Sequence, residues 1–519
     1  MKCTFFFAMF CEYGELVGKF LAVSAWINMI IDRKRSNVGV VGLCLMGLSI
    51  GGCTSDRTIK LDSDDHLAQI NYDQRNLYPA LEPASGGVLD MSLSDAIDRS
   101  LRHNLDARVA AMETLIAQDN VTLAKMEAIP NLTTSGTFTR RNNVASSSSQ
   151  SILTGTQSLE PSTSSDTTRQ LADIKAQWNI MDAVIAYLDG YNAEDSAIIA
   201  GERLRKVQQN IERDVINAYW QAYAGQKSEK TIGVLSTDVA KLEVSIKQAL
   251  GEKMIPITDG GARITSLLQN QRQLNELFQV AQLSKSELKA ISALPVDANI
   301  NLSTRPDDLD GKLKKLIQNK YKDGFVNVAL QKRPEVREAY MSSNISIRNV
   351  ERELKSTVPG LNLIYGHNYD DNSFLTENAW TDFTATITQS LTDLLTLPKR
   401  YKAAKNREAL EGERRKALTA AIIAQVYIAQ IRMGLAETNY NLAKSDYEIS
   451  KKETHAIIAR KNMGAASGYE QTIAKTSVMT KEIQYHQAFA EMQKSYVDMI
   501  GTLGLSVSDM IVEKEGDVL

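Results

Sequence analysis

Two periodicities alternate along this chain and divide it into repeating blocks. From Ile211 the apolar positions step by four and three through Val215, Ala218, Ala222 and Gly225. Glu229 interrupts, and the steps resume at Ile232, Leu235, Val239, Leu242, Ile246 and Ala249. A sustained 3.5-residue repeat is the seam of a left-handed coiled coil. The same steps recur from Ile422 through Val426, Ala429, Met433, Ala436, Tyr440, Ala443 and Tyr447 to Ser450, Thr454 and Ile457. The pattern predicts helices over about 190–250 and 400–462, each on the order of 90 Å long at 1.5 Å per residue. Each ends in a tip, Leu250-Gly251 to Asp259-Gly260-Gly261 and Met463-Gly464-Ala465-Ala466-Ser467-Gly468. A return helix follows each tip. The first carries Ile264, Leu267, Leu274, Phe278, Ala281 and Leu288; the second carries Tyr485, Phe489, Met492, Tyr496, Met499 and Leu503.

Between the helices the period drops to two. One side reads Leu132, Thr134, Gly136, Phe138 and, further on, Ile174, Ala176, Trp178, Ile180. Later it reads Leu361, Leu363, Tyr365, His367, Tyr369, then Phe383, Ala385, Ile387 and Leu391. These predict strands at about 131–141, 170–181, 360–369 and 381–392. About ten residues with one apolar and one polar face is the signature of a transmembrane β-barrel strand; a soluble hairpin with one wet face gives the same pattern. Trp178, Tyr365, Tyr369 and Trp380 suit an interfacial aromatic girdle. The first hairpin loop, Asn142 to Thr168, is Ser/Thr-rich, and the second, Asp370 to Ala379, is short and acidic.

The blocks repeat. Ser100–Leu132 aligns with Ala329–Leu361 without a gap, pairing Leu101/Leu330, Arg108/Arg337, Met112/Met341, Asn120/Asn349 and Pro130/Pro359. Proline disfavours helix in the residue before it, so each copy turns there from helix to extended chain. The expected organisation is a first repeat over 91–293, an inter-repeat equatorial segment over 294–324, a second repeat over 325–503 and a C-terminal tail over 504–519.

Composition narrows the classes. Among 519 residues there are 10 prolines, so long helices meet few breakers, and a net charge of −3 provides no basic field for nucleic acid. Five scattered histidines leave little material for a metal site. No HExxH, P-loop, GxGxxG or GxSxG pattern is present, and the chain does not read as an enzyme. All four cysteines, Cys3, Cys11, Cys44 and Cys53, fall near the start of the chain, none after Cys53. Arg33-Lys34-Arg35, the apolar run Val38–Leu48 and Ile50-Gly51-Gly52-Cys53 form an export signal in order, basic, apolar, then small residues before a cysteine. A buried cysteine in an ordinary helix is the alternative. The apolar clusters upstream of Met29 are superfluous to such a signal, so Met29 is the expected translation start. Residues 1–52 hold 5 basic and 3 acidic residues, so the remainder carries −5.

In order, these pieces resemble the TolC-like outer-membrane efflux proteins, in their lipoprotein branch. The resemblance spans about 90–503 and rests on Leu93-Ser94-Asp95-Ala96-Ile97 followed by Asn104, the helix-Pro-Leu-strand junctions at Pro130 and Pro359, and the tip segments Ile255-Pro256-Ile257-Thr258-Asp259 and Gly464-Ala465-Ala466-Ser467. It implies an α+β membrane protein. Three chains would each give four strands to one barrel, above a periplasmic α-barrel of coiled-coil helices. Residues 1–52 would be an extension and lipoprotein signal peptide, Cys53 the lipid attachment site, and 53–90 an N-terminal periplasmic tail. Thr54, in place of Asp, leans toward the outer membrane of a Gram-negative cell.

The implied function is a passive exit duct in a tripartite efflux system, with a periplasmic adaptor and an inner-membrane pump of RND or ABC type as partners. No cofactor is implied beyond the lipid. The outer-membrane component of a type I protein secretion system is the alternative, and a non-transporting coiled-coil lipoprotein the third reading. Asp259 and Glu470 are candidate periplasmic gate residues, although either is also favoured near a helix start by the dipole alone. Gly251, Gly464 and Ser467 are candidate adaptor-docking positions.

Overall fold

A computed structural model describes residues 64–76, 88–158, 160–295, 297–303, 324–466 and 468–507. The export signal, Met29, Cys53 and Ser467 lie outside the described residues. Contacts divide the chain into two units, 1–77 and 78–519. The described part of the first is one helix, α1 (Asp64–Asn76). All that follows concerns the second.

This unit begins with strand β1 (Val88–Met91) and helices α2 (Leu93–His103) and α3 (Leu105–Met126). Ser92 and Asp95 form a reciprocal capping box that starts α2, and Asn104 Oδ1 accepts from the Asp106 and Ala107 N–H groups to start α3. Strands β2 (Asn131–Arg140) and β5 (Thr168–Asn179) follow, with the two-residue β3 (Ser146–Ser147) and β4 (Ser162–Thr163) between them. Next come α4 (Ile180–Gly251), α5 (Ile257–Ile291) and β6 (Asn299–Leu302). The second half contains α6 (Phe325–Lys332), α7 (Pro334–Lys355), β7 (Gly360–Asp370), β8 (Ala379–Thr388), α8 (Leu391–Asn462) and α9 (Gly468–Thr502). The halves match in length: α3 and α7 have 22 residues each, α4 and α8 have 72, and α5 and α9 have 35.

The long helices start earlier than the coiled-coil pattern predicts. Ile180 and Leu391, read as strand ends, are the first residues of α4 and α8. The reason is capping: Asn179 Oδ1 accepts from the Met181 N–H at 2.9 Å, and Ser390 Oγ from the Asp393 N–H at 3.2 Å. Pro398 lies inside α8, within its early turns, and does not delay it. At 72 residues each helix extends about 108 Å.

Next to the sheet the helices lie side by side in the order α3–α4–α7–α8; toward the tips the order is α5–α4–α9–α8. A ladder of ion pairs ties α4 to α7, including Arg337–Glu202 at 2.7 Å, Lys206–Glu335 at 3.0 Å and Arg352–Asp189 at 3.1 Å. Below the ladder the packing turns apolar. Val215, Ile216, Tyr219 and Trp220 of α4 meet Phe489, Tyr496 and Ile500 of α9. The Trp220 ring makes edge-on contacts with Tyr219, Tyr223 and Phe489 at centroid distances of 5.7, 5.8 and 5.3 Å. Phe278, read as a seam residue of the first return helix, is 40% exposed because α5 flanks α4 on an outer edge.

The same core holds a two-stranded parallel sheet, β1 with β6, that no periodicity announced. Four-residue strands are too short to show alternation, and β1 straddles the boundary between the stretch read as a tail and the first repeat. The C-terminal segment docks here as well. Gly504 has φ +72 and lies so close to the Arg333 backbone that a Cβ would collide with it. Glu212, 4% exposed, accepts from Ser506 Oγ at 2.8 Å and from the Val507 N–H at 2.9 Å.

Candidate functional site

The four long strands form one antiparallel sheet in the order β2-β5-β7-β8. Side chains directly across a ladder share a face, so the registers sort the sheet into two surfaces. One face carries Leu132, Phe138, Ala172, Ile174, Ala176, Trp178, Leu361, Leu363, Tyr365, Phe383, Ala385 and Ile387. The other carries Thr133, Ser135, Thr137, Asp173, Lys175, Gln177, Asn362, Asn368, Asp382, Thr384 and Thr386. Trp178, Tyr365 and Tyr369 lie on the apolar face as the girdle reading expects. Trp380 does not: it pairs with Asn368 and joins the polar face, because strand register outranks residue type in setting direction.

The edges of the sheet are open. β2 and β8 are exposed along their whole length, and each has one row of backbone groups without a neighbouring strand. The helices that continue these edge strands are also uncovered. On α3 a stripe of Val109, Met112, Ile116 and Leu123 is exposed; on α8 the stripe is Ile428, Ile431, Leu435, Leu442 and Ile449. Both step by three, four or seven, the spacing of a coiled-coil seam. An 18-residue window of α8 reaches a mean hydropathy of 1.4 with 17% of it buried, so α8 is strongly apolar where the chain itself leaves it bare.

At the outer end the two hairpin loops interlock. Arg169 pairs with the buried Asp370, Asn372 Nδ2 donates to Ser164 O at 3.0 Å, and Ser373 Oγ donates to Asp166 at 2.9 Å. The Ser/Thr-rich loop is therefore pinned at its base to the short acidic one. A cleft of about 370 Å³ lies between α4, α7 and α8, with Asp189, Arg352, Glu353 and Arg407 among its lining. Three of these charges are already paired, Asp189 with Arg352 and Glu353 with Arg400. Among the described residues no three His, Cys, Asp or Glu side chains gather as a metal site.

The tips use one turn twice. In the first, Lys253 N–H donates to Leu250 O at 3.1 Å and Met254 N–H to Ala249 O at 2.9 Å. In the second, Gly464 N–H donates to Lys461 O at 2.9 Å and Ala465 N–H to Arg460 O at 2.8 Å. This paired ending puts one residue in the left-handed region, and Gly464 occupies it at φ +76. Its counterpart is Lys253, at φ 57, and not Gly251, which is the last residue of α4 with open space around it. The strained lysine has no sequence signal. Asp259 and Glu470 sit three residues into α5 and α9, both exposed and both in the first turn. At Gly260 a Cβ would run into the Leu250 side chain, which would have to move.

No family model and no curated relative matches the sequence. Solved structures do. The outer-membrane channel OprN superposes with a TM-score of 0.59 at 16% identity, covering 79% of this chain and 89% of that one. The outer membrane protein VceC of Vibrio cholerae gives 0.58 at 14% identity, over 80% and 96%. The CmeC outer membrane channel of Campylobacter jejuni gives 0.59 at 11% identity, over 82% and 88%. The chain has the TolC-like outer-membrane channel fold, as its sequence resemblance leads one to expect.

Proposed function

We propose that this chain is one protomer of a trimeric outer-membrane exit duct in a tripartite efflux system. The observation that carries the reading is the four-stranded sheet with an apolar face, a polar face and two bare edges. Four strands cannot close a barrel, and an open edge is not tolerated in lipid. Copies that pair β8 of one with β2 of the next remove both edges. The same step sets the bare edge of α8 in one copy against the α3 and α5 edge of the next, so one rotation covers strands and helices together. The polar face then lines a water-filled lumen and the apolar face meets lipid. Three copies, giving twelve strands, follow from the resemblance to the TolC-like family. The duct moves cargo passively; an inner-membrane pump supplies the energy and an adaptor bridges the two.

Three local assignments belong to this reading. Cys53 carries the lipid after signal cleavage, and a palmitate label lost in Cys53→Ala tests it. Asp259 and Glu470 ring the periplasmic closure; conductance unchanged in both Asp259→Ala and Glu470→Ala removes them from the gate. Gly251, Gly464 and Ser467 meet the adaptor, and a trimer that still transports with bulky residues there argues against docking at these points.

The deciding experiment compares retention of a fluorescent cationic dye in cells with and without this gene, with re-expression as control. Retention that rises on loss and reverses on re-expression supports efflux. Unchanged retention together with missing secreted proteins would transfer the duct to polypeptide secretion.

A further inference from the structure

The polar face of the sheet carries five charged residues: Arg169, Asp173, Lys175, Asp370 and Asp382. Four of them cancel. Lys175 Nζ lies 3.0 Å from Asp173, and Arg169 pairs with Asp370. Asp382 is different. Its carboxylate accepts from the neutral Asn368 Nδ2 at 2.5 Å, and among the described residues it is in no ion pair. Its place is also built. One cross-strand row reads Thr133, Lys175, Gly366, Asp382. Gly366 leaves the space over which the carboxylate leans, and a Cβ there would strike Asp382 Oδ1. The lysine in the row is already held by Asp173. The polar face is thus left with one uncompensated negative charge per protomer, at a fixed height on a rigid sheet.

We infer that Asp382 makes this pore select for cations, inorganic or organic, at the level of the strands and independently of the tips. The inference rests on the shared-barrel reading, in which symmetry sets one Asp382 per protomer around the lumen. A ring of carboxylates raises the local concentration of cations and repels anions. Asn368 holds each carboxylate in place, so the ring does not depend on a mobile loop.

The test is the reversal potential of the purified full-length protein in planar bilayers under a potassium chloride gradient. The unaltered channel is expected to prefer potassium over chloride. Asp382→Asn, which removes the charge from every protomer, is expected to lower that permeability ratio by at least roughly two- to threefold, the Boltzmann factor for a single unit charge about 6–8 Å from a passing ion in water. Asp382→Glu, which keeps the charge, retains the ratio, and Lys175→Gln, which releases Asp173, raises it. A conducting Asp382→Asn channel with an unchanged ratio overturns the inference and leaves the duct standing. A protein that inserts and conducts nothing overturns the duct and the inference with it.

Discussion

Helices α4 and α8 have the same length and the same place in their halves, yet opposite surroundings. Their seams agree position by position: Ile211, Val215 and Ala218 are buried on α4, as are Ile422, Val426 and Ala429 on α8. The next face separates them. Ile216, Trp220 and Ala224 are buried, whereas their counterparts Tyr427, Ile431 and Leu435 are exposed; Trp220 is 0% accessible and Ile431 63%. The cause is position. α4 lies inside the layer, with neighbours on both sides, and α8 closes its edge. An interior helix can bury aromatic bulk within its own chain. An edge helix that is equally apolar leaves its stripe bare, the mark of an interaction surface, and the proposed assembly is one way to cover it.

This contrast can be broken most sharply on α8. Ile431→Asp combined with Leu435→Asp is expected to reduce the assembly to single folded chains, read by light scattering of detergent-purified protein. Intact oligomers would show that the stripe is covered by something other than another copy.

Next in size, Trp220→Ala is expected to cost about 3–5 kcal/mol through the cavity it leaves. Ile431→Ala in the dissociated chain is expected to cost no more than about 0.5 kcal/mol. Denaturant unfolding of both variants measures the difference, and equal losses would abolish the distinction between inner and edge helices.

Glu212→Ala removes the acceptor for Ser506 and Val507 and is expected to cost about 1.5–3 kcal/mol. The released C-terminal segment becomes a protease site; resistance equal to the unaltered protein would mean that Gly504 and Val507 hold the tail without it.

The smallest effect lies at the tips. Lys253→Gly relieves a left-handed lysine and is expected to stabilise the first hairpin by about 1 kcal/mol, whereas Gly464→Lys costs the second about as much. Hydrogen exchange at the two tips reads both, and no change at Lys253 would show that its conformation is not strained.

Much of this fold was legible because periodicity survives any tertiary context. The seam at Ile211–Ala222 and the alternation at Leu361–Tyr369 follow from 3.6 and 2.0 residues per turn. The helix-to-strand switch at Pro130 and Pro359 follows from the clash that proline imposes on the residue before it. Helix starts were less legible, since Asn179 and Ser390 act as caps only when the chain beyond them is helical. Of the site residues, Asp259 and Glu470 could be placed in first turns from their neighbours, whereas Asp382 could not be distinguished from Asp173. Alternation puts both on the polar face, but only the register between strands tells which carboxylate meets a lysine.

The amino-acid sequence by itself therefore determined the elements, their duplicated order, the apolar and polar faces of each strand and the inner seam of each long helix. These are local properties of side-chain spacing. The tertiary structure alone decided that α4 is interior and α8 an edge, that β1 pairs with β6 across more than 200 residues of chain, and that Glu212 clasps the C-terminal segment. It also left Asp382 as the unpaired charge of the polar face. Neighbours across an interface are chosen by packing and register, and one strand or helix does not encode the partner it will meet.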